Sequence, residues 1–390
     1  MERKSKKNNS NNTIYEKDYR FVFLYFIGML FVVMGHKGGD ALNLMRNWFP
    51  YYSFHLALFM FCSGYFYKDQ NEKNVKKYIF HKFKRLIITT FVWNICYGIL
   101  ICLLRYKNFS FGKDLSFESL FVLPLYNGHQ FTLNMGSWYV ISLFLVETFN
   151  MCFRKILGKY KNEWFLFIIY FLLGLVGIYM SNKGLNTEWW LILTRFLYFI
   201  PFYGLGIVYN RKVEKYDKVS NLLYFGIILT IMLFIMNYYK STISIIPSWC
   251  VFPDNILLPY IIGTLGIAFW FRIAKIIEPI VNKNKFIEKI ANHSYSIMMH
   301  QFLGFIIVGY ILGKLSQLKL FNNSFDWIKF KSDIWYTFYP NNIKQWGIVY
   351  IISGLLIPIF IEKITHKLLN KIKDIFKKMC KSNQEKSLSN

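Results

Sequence analysis

The sequence predicts an all-α membrane protein with about ten transmembrane helices. Three observations support this class. First, 54% of the 390 residues are hydrophobic and 20% are aromatic. Second, the apolar residues fall into runs close to the length of about 20 residues that a helix needs to cross a bilayer. Third, the basic residues cluster between these runs rather than inside them, as they do in membrane proteins of defined topology.

Ten apolar runs are candidates for transmembrane helices. They are residues 19–36, 50–67, 86–104, 136–153, 164–181, 188–209, 221–239, 255–273, 294–313 and 345–365. The chain therefore divides into a basic N-terminal tail, a transmembrane domain, and a basic amphipathic helix with a polar tail, which we place at residues 1–18, 19–366 and 367–390.

The connecting segments predict the orientation. Lys and Arg are about threefold more abundant on one side of the predicted membrane than on the other, and the richer side is the cytoplasmic one under the positive-inside rule. Both termini are then cytoplasmic. The first run lacks a small-residue cleavage site, so we expect it to be a permanent span. The net charge of +26 thus reflects the membrane topology. Because the sequence has no basic motif on a soluble fold, we expect the protein to interact with the lipid bilayer and not with nucleic acid.

Two histidines lie near the predicted outer surface. His36 ends the first span, and His55 begins the second, so the two imidazoles should lie at a similar depth. Histidine is the side chain best suited to take a proton from a hydroxyl near neutral pH. The alternative is that each is an interfacial histidine satisfied by water.

Three further ionisable residues lie inside predicted spans, where charge is costly unless it is paired or faces a cavity. Glu147 and Arg195 lie in the fourth and sixth spans and could form a buried structural pair. Alternatively, Glu147 orients a catalytic histidine, or Arg195 stabilises a developing oxyanion. His300 in the ninth span either lines a site or packs. No HExxH or similar spacing is present, so we expect no metal.

Five segments together resemble a known family. They are Gly28 to His36, Tyr52 to Tyr67, Lys82 to Leu86, Ser137 to Val140 and Ser294 to His300. In this order and spacing they are similar to motifs of the acyltransferase 3 family, bacterial multi-pass enzymes that O-acylate cell-surface glycans. The resemblance implies a protein of the bacterial cytoplasmic membrane that transfers an acyl group, most often acetyl, from acyl-CoA to a glycan acceptor.

The resemblance also implies roles for individual residues. His36 would be the catalytic base, with His55 beside it. The CoA phosphates would contact a basic motif of Lys82, Lys84 and Arg85, and clustered cations suit a polyanionic donor. Independently of the resemblance, Ser53, Trp138 and His300 are candidates for substrate contacts, and Arg195 or Ser53 could stabilise the oxyanion.

The sequence departs from the family pattern at one position on the first helix. The family usually has a basic residue eleven positions before the histidine, about three helical turns away on the same face, and this chain has Tyr25 there. The nearest basic residue is Arg20, which is off that spacing. Lys82 likewise stands where Arg is usual. Two other functions remain open, a transporter of glycans or lipid-linked sugars and a membrane sensor or scaffold.

Overall fold

A computed structural model describes residues 2–4, 15–42, 49–160, 162–239 and 243–388, and within them the fold is all-α. The only strands in these ranges are β1 (Glu2–Lys4) and β2 (Tyr15–Lys17), which pair antiparallel in the N-terminal tail. The helices are α1 (Tyr19–His36), α2 (Gly39–Leu42), α3 (His55–Tyr65), α4 (Val75–Lys82), α5 (Thr89–Arg105), α6 (Leu123–Tyr126), α7 (Trp138–Leu157), α8 (Glu163–Asn182), α9 (Glu188–Val208), α10 (Asn221–Tyr238), α11 (Leu258–Val281), α12 (Lys285–Asn292), α13 (Ser294–Gln317), α14 (Trp327–Ser332) and α15 (Gly347–Leu388).

Eight helices in the described part of the chain are long and apolar enough to cross a membrane, which confirms a polytopic α-helical protein. They are Tyr19–His36, Asp69–Arg105, Glu163–Asn182, Glu188–Tyr216, Asn221–Tyr238, Leu258–Val281, Ser294–Gln317 and Lys344–Lys371. The predicted C-terminal amphipathic helix is the continuation of the last of these, because α15 runs through residue 367 without a break.

The structure differs from the predicted ten spans at two segments. The predicted span 50–67 contains only the 11 residues of α3, preceded by a short 3₁₀ turn, and 11 residues rise only about 16 Å. The predicted span 136–153 forms α7, which has 20 residues but carries Glu147 and Arg154 and is not among the eight apolar helices. Both segments are helical, but neither has the length and apolarity of a simple lipid-facing span.

The short helix α3 is buried at the centre of the bundle, between α1 and α9. Leu58, Met60 and Cys62 on this helix are fully buried. Two glycines allow the close approach of α3 to α9. A Cβ on Gly64 would lie 1.9 Å from the Tyr203 carbonyl oxygen, and one on Gly206 would lie 2.1 Å from the Phe61 carbonyl oxygen. The two backbones are therefore nearly in contact, which only glycine permits.

A π-helical turn, Phe83–Ile88, joins α4 to α5. It carries Arg85 and interrupts the regular hydrogen-bond pattern of an otherwise continuous helical segment. Such turns occur frequently at functional sites. The basic motif predicted from the sequence therefore lies on a helix of altered geometry and not in an extended loop.

Candidate active site

One large cavity of about 1370 Å³ runs through the bundle between α1, α3, α7 and α13. His36, His55, His129 and Trp335 line it at one end, which we call the histidine end. Arg85, Lys17, Asn292 and Ser294 line it at the other, which we call the basic end. The two ends are joined by side chains from all four helices, so the cavity is continuous.

The cavity wall on α1 is a stripe of side chains along one helix face. Tyr25, Met29, Val32 and His36 all line the cavity, and their spacing of three or four residues places them on one side of a helix. From Tyr25 to His36 the stripe rises about 16 Å. The position at which the family usually has a basic residue thus faces the same cavity as the histidine, and here it presents a phenol.

The environment of His36 fixes the protonation of its ring. Its Nδ1 lies 3.0 Å from Oε1 of Gln301. The amide of Gln301 is oriented by its Nε2, which donates to the Met298 carbonyl at 3.4 Å. Oε1 can only accept, so Nδ1 of His36 carries the hydrogen and Nε2 carries the lone pair. The ring is held between Phe302 and Trp335, with centroid separations of 5.0 and 6.0 Å. His36 is therefore arranged as a neutral base, and sequence reasoning missed Gln301 beside His300.

Substitutions of Gln301 should reveal this arrangement in the pH dependence of catalysis. Gln301→Met is expected to lower kcat about tenfold or more, because the ring loses the acceptor that selects its tautomer. Gln301→Glu is expected to move the acidic limb of the kcat/KM profile upward by about one pH unit, because a carboxylate stabilises the protonated ring. Gln317→Glu on the exposed end of α13 is the control. An acidic limb in Gln301→Glu that matches the wild type would contradict the assignment.

Two more histidines at the histidine end have the same tautomer. Nδ1 of His55 lies 3.0 Å from the Tyr51 carbonyl oxygen, and Nδ1 of His129 lies 2.9 Å from the Asn127 carbonyl oxygen. Each Nδ1 must donate, which leaves Nε2 as an acceptor. Burial lowers the pKa of His129 to about 3, and the Arg195 charge acts in the same direction. His129 was not among the candidate residues, because nothing in a loop sequence shows that its side chain lines the cavity.

Glu147 forms an ion pair, but its partner is Lys82 and not Arg195. The Nζ atom of Lys82 lies 2.8 Å from Oε1 and 2.7 Å from Oε2 of Glu147, and the Glu147 side chain is only 7% exposed. The predicted Glu147–Arg195 pair is therefore wrong. The reason is that α4 and the π-helical turn pack against α7, a contact between segments 65 residues apart that the sequence does not reveal.

The Lys82–Glu147 pair should contribute to stability. Glu147→Gln is expected to lower the free energy of unfolding by about 2 kcal/mol, somewhat less than for a fully buried pair because the Lys82 side chain is 24% exposed. The double variant Lys82→Met with Glu147→Leu should recover most of the loss. The measurement is thermal unfolding in detergent, and Asp114→Asn, which removes an exposed pair with Arg105, is the neutral control. If Glu147→Gln has normal stability but no activity, Glu147 would instead have a role in the reaction.

Arg195 lies beside the cavity and does not line it. Its guanidinium donates to the carbonyl oxygens of Tyr126 at 2.7 Å, Asn127 at 3.2 Å and Ser248 at 3.0 Å, and its Cζ lies 4.7 Å from the Trp138 ring centroid. These contacts tie two loops to α9. The donors are occupied by backbone carbonyls, so the structure gives Arg195 a supporting position and none next to an oxyanion.

The remaining predicted substrate residues divide between cavity and core. Trp138 lines the cavity, whereas Ser53 and His300 do not. The Ser53 hydroxyl donates to the Pro50 carbonyl at 2.5 Å. His300 is 1% exposed and its Nδ1 lies 2.7 Å from the Tyr97 hydroxyl. The packing alternative for His300 therefore fits its surroundings. Within the described ranges, no group of three His, Cys, Asp or Glu side chains could hold a metal ion.

At the basic end, Arg85 is the member of the predicted cation motif that lines the cavity. Its side chain is exposed, and it makes no hydrogen bond or ion pair with any described residue. Lys82 is bound to Glu147, and Lys84 lies outside the lining. Lys17 also lines this end, with its Nζ 2.5 Å from Oε1 of Glu288. Arg85 is thus the cation best placed to receive an anion.

Arg20 does not take over the position occupied by Tyr25. It is 4% exposed, and its guanidinium donates to Asp18 and Glu214, each at 2.5 Å, and to the Tyr65 hydroxyl at 3.1 Å. This cluster fixes the start of α1 against α3 and the end of α9. A guanidinium with two carboxylate partners is a structural anchor, and Arg20 is not a cavity residue.

The fold and the site together define a class of protein. It is a multi-pass membrane protein with one cavity that joins the basic end to the histidine end. The family model for the acyltransferase domain matches residues 23–361, a range that contains most of α1, all of α2 to α14 and every cavity-lining residue except Lys17. The chain belongs to this acyltransferase family, as the resemblance predicted, and is a membrane acyltransferase. It matches none of the curated proteins and none of the solved structures with which it was compared.

Proposed function

We propose that this enzyme transfers an acetyl group from acetyl-CoA to a hydroxyl of a cell-surface glycan or its precursor, in a bacterial cytoplasmic membrane. The observation that carries the proposal is the continuous cavity, which has Arg85 at one end and His36 at the other. A thioester and an alcohol can therefore enter from opposite ends and meet inside one chamber.

The donor enters at the basic end. Arg85 and Lys17 are the only Lys or Arg residues among the described lining residues, and no Asp or Glu is among them. This charge distribution suits the phosphates of CoA. The basic connecting segments are on the same side as Arg85, so the positive-inside rule places this end and both termini in the cytoplasm, where acyl-CoA is available.

The reaction proceeds by direct transfer. The acceptor hydroxyl approaches His36, whose Nε2 removes the proton as the oxygen attacks the thioester carbon. The tetrahedral intermediate collapses with cleavage of the carbon–sulfur bond. The protonated His36 then returns its proton to the thiolate, so that CoA leaves as the thiol and the ester remains on the acceptor. No covalent acyl-enzyme is needed, because the base and both substrates share one chamber.

The proposal is tested with purified protein in nanodiscs and ¹⁴C-acetyl-CoA. We expect release of free CoA thiol, together with label on added glycan extract and loss of acetyl groups from the surface glycan of a deletion strain. The release of CoA should fall when substitutions remove the positive charges of Lys17 and Arg85 at the basic end. Sugar flux across sealed vesicles in the absence of CoA, with no thiol release, would instead establish the transporter alternative.

A further inference from the structure

Two half-exposed tryptophans line the histidine end of the cavity. Trp249 is 44% exposed and Trp335 is 48% exposed, and both are lining residues. Aromatic side chains that line a cavity and keep much of their surface uncovered offer an apolar face to a ligand, and such side chains are typical of small-molecule sites. Neither indole is a reacting group in the proposed reaction, and the packing of Trp335 beside His36 leaves about half of its surface open to a ligand with an apolar face.

Neither tryptophan is free to move independently of the histidines. The Trp249 ring stacks on His129, with centroids 4.4 Å apart and an angle of 20° between the rings. The Trp335 ring lies 6.0 Å from His36 and 5.6 Å from Phe302. A ligand that contacts Trp335 is therefore next to the imidazole that the proposed reaction uses as its base.

The segment that carries Trp335 is tied to the residue after His36. The Nζ atom of Lys37 donates to the Tyr336 carbonyl at 2.5 Å, and Lys37 is 6% exposed. Within the segment itself, Oδ1 of Asp333 accepts from the Trp335 backbone N–H at 2.8 Å. Because Lys37 is the neighbour of His36 in the chain, the indole and the imidazole are held in fixed relative positions.

The charge of this end restricts the ligand. The lining cations Lys17 and Arg85 lie at the opposite end, and no carboxylate is among the described lining residues. The histidine end offers neutral imidazoles, the Tyr52 ring and the hydroxyls of Ser244 and Ser248. These groups suit an uncharged molecule with hydroxyls on its edge and C–H groups on its face. A neutral pyranose ring has this chemistry, and indole rings offer a large, rigid apolar surface to such a face.

We infer that Trp335 is the acceptor-binding residue of this enzyme, on which an uncharged pyranose ring stacks and presents one hydroxyl to Nε2 of His36. The inference rests on the proposed function, because it assigns the acceptor to a particular ring of the same cavity. Lys37 is a positioning residue that acts through Trp335.

The test compares Trp335→Ala and Trp335→Phe, with Trp189→Ala as a matched control. Trp189 is also an exposed tryptophan, at 56%, but does not line the cavity. The acceptor probes are a panel of methyl pyranosides, neutral and uronate, with ¹⁴C-acetyl-CoA as donor. Trp335→Ala is expected to raise the KM for the neutral pyranosides about tenfold or more, as truncation of a tryptophan at a binding hot spot does. Trp335→Phe should retain most of the affinity, and Lys37→Met should shift the same KM in the same direction.

The KM for acetyl-CoA separates this inference from the proposed function. We expect it to change little in Trp335→Ala, because Lys17 and Arg85 lie at the opposite end of the cavity, and an elution profile that matches the wild type shows that the variant is folded. An unchanged acceptor KM in Trp335→Ala would overturn the inference, as would transfer to uronates only or to no pyranoside of the panel by a protein that releases CoA in the presence of glycan extract. Absence of CoA release from the wild type would instead overturn the proposed function itself.

Discussion

His36→Ala is expected to lower kcat for CoA release by about 10²- to 10⁴-fold, the usual contribution of a positioned general base. The expectation follows from the fixed tautomer. Gln301 holds the Nδ1 hydrogen of His36, so the lone pair on Nε2 is available to remove a proton. The KM for acetyl-CoA should change little, because Arg85, the proposed phosphate contact, lies at the other end of the cavity. The measurement is steady-state kinetics in nanodiscs with a thiol reagent.

The control for this variant is His293→Ala. His293 also has an Nδ1 near a backbone carbonyl, that of Lys289 at 2.7 Å, but it is partly exposed and does not line the cavity. We expect its kcat to equal that of the wild type. Full activity in His36→Ala, with a correctly folded protein, would remove this residue from the mechanism.

His55 is the other candidate base, and the same assay separates the two. Its Nε2 is also an acceptor, and its side chain lines the same end of the cavity as His36. If only one of the two imidazoles removes the proton from the acceptor hydroxyl, substitutions of His36 and His55 should lower the activity to different extents. His55→Gln can still accept and donate hydrogen bonds, so its activity should fall less than that of His36→Gln. The reverse order would transfer the role of base to His55.

Most of the transmembrane helices could be predicted from the sequence, because long apolar runs identify them. The stripe on α1 was also predictable, because an eleven-residue spacing must return to the same helix face. The structure adds that this face, with Tyr25 and His36, is a cavity wall. The shortness of α3 was not predictable. An apolar run of 18 residues looks the same whether it crosses lipid or is buried among other helices.

The side-chain partners could not be predicted, because they depend on contacts between distant parts of the chain. Glu147 has two plausible cations in the sequence, and only packing of α4 on α7 selects Lys82. Gln301 lies inside the predicted span 294–313, where an unpaired polar group is costly, but the sequence does not show that its partner is His36 on α1. Trp249 and Trp335 lie in long loops, where an aromatic residue is equally compatible with the membrane interface.

Arg85→Gln is expected to raise the KM for acetyl-CoA about tenfold to a hundredfold, with a smaller effect on kcat. The physical reason is the loss of charge-assisted hydrogen bonds to phosphate, each of which contributes about 1.5–3 kcal/mol. Arg85 is the only residue of the predicted motif that lines the cavity, because Lys82 is neutralised by Glu147. We therefore expect Arg85 to provide most of the donor recognition of the motif, and the effect should shrink as ionic strength rises.

Acetyl-pantetheine, a donor that lacks the CoA phosphates, provides the decisive comparison. If Arg85 binds phosphate, Arg85→Gln and the wild type should have the same KM for this donor, although both will bind it weakly. Lys76→Gln removes the same charge from the exposed face of α4 and should leave the KM for acetyl-CoA within about twofold, since long-range screening is strong at the surface. An equal loss with both donors would show that Arg85 supports the π-helical turn, and donor recognition would then have to come from Lys17 after release from Glu288.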